Sequence, residues 1–420
     1  MGVWRLLFGI LRFGHGIFFV SLQSALMAGV FLEWRRERRA RALAARKAAG
    51  QGGAEAARGK GADPAAGEAG REPLVSVLVP VHNEEGRMAG LLESLALQDY
   101  PRAEFIFVDD RSGDGSAAML ARFAAGRRNV KILTLKENPG PNHKQYALGQ
   151  GIGAAGGEFL LFTDADCQVP PGWIRAMVEG MADEKTGAII APVFKKKEGR
   201  GFFYSYQCYD HIVRYLYLAG AAGLGAAGGG FGNNLILRRA CLEAAGGYGA
   251  VPPSPTEDAA LVSSIRSSTA YTVRSAIGWE THVFTGAEKS WRSFVNQTLR
   301  WNNGGLFSPE PVTRINYTVL MLIISTGIFA LPLLPLLPKL WPLPAWVFIV
   351  MLENTAGSLC VARRRRLSRE GAASSLPPSP LLWLPELIFM PFYMTAMTVM
   401  GYLGIKTDWK GSEVDVPGQV

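Results

Sequence analysis

Two carboxylates one residue apart, Asp164 and Asp166, stand at the end of the apolar run Phe159-Leu160-Leu161-Phe162-Thr163. An acidic pair delivered by a strand end can share one hard cation, which in turn can neutralise a diphosphate. The plainer reading is an acidic turn. A third carboxylate, Asp258, lies in Thr256-Glu257-Asp258. With Glu257 beside it, it can take the proton of an attacking hydroxyl. The same residues, placed before Ala259-Ala260-Leu261-Val262, also read as a helix start. Gln297, Arg300 and Trp301 are spaced i, i+3 and i+4, so on a helix they share one face. There an arginine can bind diphosphate and a tryptophan can stack on a sugar or lipid. A membrane-surface helix anchored by Trp301 is the alternative.

These groups need a frame. Residues 74–81, 105–110, 130–135 and 159–164 are apolar and rich in β-formers, and the helical patterns 88–98, 117–125 and 144–155 separate them. Strands alternating with helices imply a mostly parallel sheet covered on both faces. Ligands sit at the carboxyl ends of such strands, where Asp109-Asp110 and Asp164-Ala165-Asp166 fall.

The flanks have a different composition. Of 420 residues, 48% are hydrophobic and 19% charged, so part of the chain is expected to face lipid. Residues 6–32, 317–337, 343–361 and 381–403 are apolar and long enough to cross a bilayer, which takes roughly 20 residues. Pro332, Pro335, Pro385 and Pro391 predict kinks or shallow insertion. Residues 45–72 lack large apolar side chains and read as a linker. The net charge of +9 is concentrated at 35–47 and 363–366, after the first and third apolar stretches. That placement favours cytoplasmic anchoring over nucleic acid. The expected topology has the N-terminus outside, a cytoplasmic catalytic domain, then up to three spans. The span count stays open. Four scattered cysteines predict no disulfide framework.

Taken in order, these segments resemble the membrane-embedded family 2 glycosyltransferases, over about 74–301. The resemblance implies a GT-A catalytic domain, Rossmann-like and α/β, at 73–310. It would be flanked by an N-terminal membrane or interfacial helix (1–33), a basic flexible linker (34–72), C-terminal membrane helices (311–405) and a tail (406–420). Pro80, His82, Asn83 and Glu84 match the family's nucleotide-contacting turn, and Asp109 and Asp110 match the pair that meets the base. Both segments also suit ordinary turn chemistry. Lys144 matches a lysine that relatives carry after a glycine, here His143. The resemblance makes Asp164, Gln297, Arg300 and Trp301 donor contacts, with Asp164 and Asp166 holding Mg2+ or Mn2+. It places Gly230, Gly232 and Trp301 near the acceptor and makes Asp258 the general base. Trp409-Lys410-Gly411 is similar to a segment that relatives keep at the cytoplasmic face. His282 reads as structural. His211 lies in an aromatic stretch that suits a core helix, an interfacial helix or a contact with lipid or sugar.

The expected activity is inverting transfer from a nucleotide-diphosphate sugar to a membrane-resident hydroxyl, with a lipid as acceptor, at a bacterial inner membrane. A processive polysaccharide synthase shares these motifs but needs a polymer channel. A catalytically silent membrane scaffold would leave the acidic positions free to vary. A nucleotidyltransferase leaves Thr256-Glu257-Asp258 and Gln297-Thr298-Leu299-Arg300-Trp301 unexplained.

Overall fold

A computed structural model describes residues 13–57, 72–196, 198–366, 383–409 and 412–414. The proline-rich segment 377–380, residues 58–71 of the expected linker and residues 1–12, 410–411 and 415–420 lie outside the described residues.

The strands are β1 (Val75–Val81), β2 (Ala103–Asp110), β3 (Val130–Leu135), β4 (Phe159–Phe162), β5 (Cys167–Gln168), β6 (Thr186–Ile190), β7 (Val193–Lys195), β8 (Leu235–Arg238), β9 (Thr272–Ser275), β10 (Val283–Thr285), β11 (Thr407–Trp409) and β12 (Ser412–Val414). The first eight helices are α1 (His15–Ala57), α2 (Ala89–Ala96), α3 (Ser116–Ala124), α4 (His143–Ala154), α5 (Trp173–Gly180), α6 (Phe202–Gly223), α7 (Arg239–Ala244) and α8 (Glu257–Ser268). Four more follow: α9 (Trp291–Leu306), α10 (Pro311–Ala330), α11 (Pro342–Arg366) and α12 (Leu384–Tyr402).

Seven strands form one sheet in the order β3-β2-β1-β4-β8-β6-β9. β1 is parallel to β2 and β4, and only β8 runs against its neighbours. β1, β2 and β4 are buried along their whole length, which suits their mostly apolar runs. Side chains alternate across the sheet. Val75, Val77, Val79 and Val81 of β1 join Phe105 and Phe107 on one face. Leu78, Ile106, Val108 and Leu160 pack on the other, under α4 and α8. Parallel pairing brings the ends of β1 and β2 level, with Val81 beside Asp109. A second sheet, β5-β10-β7, stands where the chain leaves β4.

Helix α1 is part of this assembly. It packs on α6 through glycines, since a Cβ on Gly29 would lie 2.1 Å from Gly220 O. Glu37 accepts hydrogen bonds from the backbone N–H groups of Ile277 and Gly278, and Glu33 from that of Ser275. The helix also runs on to Ala57, so residues 34–57, read as linker, are helical. The alanines that cannot build a core are strong helix formers.

Among the described residues, two helical stretches have the length and apolarity to cross a membrane, 16–40 and 311–333. The other two expected spans are the helices α11 and α12 and fall below that measure. Pro391 lies inside α12. A third core joins α1, α6 and α9–α12 through residues such as Phe19, Tyr209, Phe294 and Val347. Cys167, Cys208 and Cys241 are buried.

Candidate active site

The site lies past the carboxyl ends of β1, β2 and β4, where three helices deliver side chains into one cavity of about 300 Å³. Helix α4 starts at an Asn142 cap, whose side chain accepts from Gln145 N–H at 3.1 Å. This cap places Lys144 on the first turn. Its ammonium bridges Asp164 Oδ1 at 2.8 Å and Glu257 Oε1 at 3.0 Å. Burial alone would lower the lysine pKa, but Asp164 and Glu257 more than reverse this and raise it. Lys144 therefore stays charged and ties the acidic pair after β4 to the start of α8.

Helix α8 begins at Glu257, as either reading of Thr256-Glu257-Asp258 requires, but the Thr256 hydroxyl does not cap it. The Asp258 carboxylate is held by backbone donors, Gly232 N–H at 2.6 Å and Ala259 N–H at 2.8 Å. Burial, then the neighbouring Glu257 charge, pushes its pKa up from 3.8 to about 6. Lys144 and the two N–H groups act in the opposite direction. Gly232 is needed for this approach, because a Cβ there would lie 3.0 Å from Asp258 Cβ. Glu257 is buried and engaged by Lys144, which orients that cation.

Helix α9 is capped by Ser290, whose hydroxyl accepts from Ser293 N–H. It turns Gln297, Arg300 and Trp301 toward the cavity, while Phe294 and Leu299 pack into the core shared by α1, α6 and α9–α12. Arg300 donates to Pro255 O at 3.1 Å, beside Thr256-Glu257-Asp258. Trp301 meets the His211 ring edge-on, and the Arg214 guanidinium lies 5.3 Å from its ring centre.

Asp164 and Asp166 both line the cavity. Asp166 accepts a hydrogen bond from the Thr285 hydroxyl of β10. No group of three or more His, Cys, Asp or Glu residues is placed to hold a metal among the described residues. A donor set of two carboxylates still fits a hard cation that completes its shell with water and substrate phosphate oxygens, as Mg2+ does.

The remaining sequence-predicted residues are close by but do not line this cavity. Pro80 is the buried penultimate residue of β1. His82 Nδ1 bonds Asp110 O, Asn83 takes a positive φ of 54° and accepts from Gly113 N–H, and Glu84 pairs with Arg87. Asp109 accepts from Ser112 N–H. Asp110 accepts from Arg111 and Asn138, and Asn138 also donates to His143 O. The ends of β1 and β2 are thus cross-linked to the start of α4. His282 is buried against Phe194, with Nε2 on Ile277 O, and stays outside the cavity.

Among the other cavity residues, Lys195 was not a sequence candidate and His211 was named only as part of its aromatic stretch. Lys195, at the end of β7, is 2% exposed. It donates to Gly286 O at 3.0 Å and Gln297 Oε1 at 3.4 Å, and it makes no ion pair among the described residues. Burial lowers its pKa. In the sequence it opens Lys195-Lys196-Lys197, which looks solvated; the available signal was the apolar run that leads into it. His211 is buried in α6, stacks on Phe231 and bonds Val193 O through Nδ1.

The sequence model of Glycosyl transferase family 2 matches residues 76–244, from β1 through α7. Asp258 and the Gln297, Arg300 and Trp301 face lie beyond that match. The chain is 28% identical over 181 residues to a beta-monoglucosyldiacylglycerol synthase of Trichormus variabilis, covering 43% of this chain and 38% of that protein. It is 26% identical over 251 residues to the probable glycosyltransferase YdaM of Bacillus subtilis, covering 56% of each. A solved mannosyltransferase of Pyrobaculum calidifontis, in complex with GDP-Man and Mn2+, aligns with a TM-score of 0.48 at 18% identity, over 92% of this chain and 98% of that one. The chain thus spans about two fifths to just over half the length of these two curated relatives.

Proposed function

We propose that this chain, which carries a family 2 glycosyltransferase domain over residues 76–244, moves a sugar from a nucleotide-diphosphate sugar to a hydroxyl of a membrane-resident lipid, with inversion. The observation that carries this reading is the Asp258 carboxylate. It is fixed by two backbone N–H groups, has a pKa raised to about 6, and shares one cavity with Lys144, Asp164, Asp166 and Arg300. At neutral pH such a group is ionised yet more basic than a surface carboxylate, which suits a general base.

The acceptor hydroxyl gives its proton to Asp258 as its oxygen bonds the anomeric carbon. The bond from that carbon to the donor's phosphate oxygen breaks on the opposite side. Its electron pair leaves with the nucleoside diphosphate, and configuration inverts. Lys144 and Arg300 supply positive charge to that leaving group. Glu257 orients Lys144. Asp164 and Asp166 would hold Mg2+ or Mn2+, which when bound adds further neutralisation of the diphosphate. The turn after β1 (Pro80, His82, Asn83, Glu84) and Asp109 and Asp110 are assigned to the nucleoside. Gly230, Gly232 and Trp301 are assigned to the acceptor side.

The two long apolar helical stretches and the basic runs 35–47 and 363–366, which lie within α1 and α11 after their apolar parts, support an integral membrane enzyme whose catalytic domain faces the cytoplasm, at a bacterial inner membrane. The T. variabilis relative is named as a synthase of a glucosylated diacylglycerol, which supports a glycerolipid acceptor. Asp258→Asn tests the base. Transfer should fall by about 10²-fold or more while donor binding, measured by calorimetry, persists. Normal turnover in that variant would remove Asp258 from the mechanism.

A further inference from the structure

The cavity does not stop at the polar groups. Its wall continues along Phe19 of α1, Met321 and Ile324 of α10, Met351 of α11, and Met390 and Met394 of α12. Each of these six side chains is at least nine-tenths buried, so this arm is an inner surface and not the lipid-facing exterior. The exterior of the same helices is a separate surface, with Leu322, Phe329, Leu352 and Phe392 all exposed.

We infer that this arm holds a hydrocarbon chain of the acceptor lipid, with His211 bonding its headgroup; the inference rests on the lipid-acceptor reading above. Four of the six wall residues are methionines, which are unbranched, polarisable and able to fit a chain of variable shape. Gln23 and Asn354 also line this stretch, but they bond each other across α1 and α11, so the methionine-rich remainder suits an alkyl chain. Helices α1 and α10, which supply half of the wall residues, are also the two that can cross a membrane, so a chain could enter the arm from the bilayer.

The headgroup end has its own unfilled partner. His211 lines the cavity, and its buried Nε2 has no hydrogen-bond partner among the described residues. Val193 O can only accept, so Nδ1 carries the proton in that bond. In the neutral ring Nε2 is then an acceptor, matched to a lipid hydroxyl. Trp301 and Phe231 flank the ring, and Phe231 lies in the loop that carries Gly232 to Asp258. A hydroxyl lipid seated this way presents its polar end to the base and its chain to the methionines.

The test uses the full-length protein in vesicles of phosphatidylglycerol and phosphatidylethanolamine, with a diacylglycerol carrying a diazirine on one acyl chain. After photolysis, mass spectrometry should place the label on Met351, Met390 or Met394. Excess unlabelled diacylglycerol should suppress it, and Met351→Trp or the milder Ile324→Phe should reduce it. Label confined to Leu322, Phe329, Leu352 and Phe392 overturns the inference. Nucleoside diphosphate binding, read on the same samples, separates the two claims. Exterior labelling with donor binding intact removes the chain site alone, whereas absent donor binding in the wild type removes the reading beneath it. His211→Phe should raise the KM for diacylglycerol by roughly fivefold with labelling of the arm unchanged; an unchanged KM removes the headgroup contact.

Discussion

Replacing Glu257 by glutamine should move the acid limb of activity downward in pH. Asp258 must be ionised to accept a proton, so turnover is present above its pKa and lost as pH falls through about 6. Raising that carboxyl from its ordinary 3.8 costs the ionised form about 3 kcal/mol. Burial contributes most of the rise and the Glu257 carboxylate contributes next. Glu257→Gln removes that second cause and leaves the first in place. The amide oxygen can still accept from Lys144, now 3.0 Å from Glu257, so the cation keeps its place. With burial unchanged, the limb should drop by roughly half to one pH unit and stay above the ordinary carboxylate value. The assay is kcat/KM against pH, from release of nucleoside diphosphate, with wild type and variant in the same buffers. A limb that stays put or rises would refute the electrostatic account of Asp258. Stability has its own sign. Because the pKa is raised in the fold, this group favours the native state below 3.8, and that contribution is lost as pH rises through about 6. Asp258→Asn should therefore fold at neutral pH at least as stably as the parent.

Asp166→Ala should abolish the metal dependence of donor binding, and equal affinity with and without Mg2+ or Mn2+ in the wild type would remove the metal role. Gly232→Ala puts a Cβ 3.0 Å from Asp258 Cβ, so kcat should fall by about tenfold with little change in donor KM; a wild-type kcat would show that the close approach is dispensable. Lys195→Met removes a buried ammonium that has two neutral partners, at Gly286 and Gln297, and should weaken donor binding about tenfold without lowering thermal stability. Unchanged donor affinity would exclude Lys195 from the diphosphate site.

Four of the seven strands of the main sheet were legible because they are apolar runs, whereas β6, β8 and β9 were not among the runs read. Residues 130–135 were read to the residue, and the strands before Asp109-Asp110 and Asp164-Ala165-Asp166 to within two residues. The delivery of Asp258 from a helix start and of Gln297, Arg300 and Trp301 from one helix face was also visible, since both follow from helical spacing. The sheet β5-β10-β7 was not, because its strands are two or three residues long and pair across ninety positions or more. The helical stretch 34–57 was missed because a segment too polar to form a core can still be helical when alanine-rich. Lys195 and His211 were hidden for another reason. Their importance depends on burial against segments far away in the chain, and neither the lysine run nor the aromatic stretch reports that.

The most direct test of the central claim uses purified protein in detergent with a membrane lipid extract, divalent metal and a panel of nucleotide sugars. Nucleoside diphosphate release and product mass are recorded together. Release is expected with one donor, together with a lipid heavier by a single sugar, and both are lost in Asp258→Asn. A ladder of masses or an insoluble polymer would point to a polysaccharide synthase, and no release with any donor would contradict the claim that this chain transfers sugar.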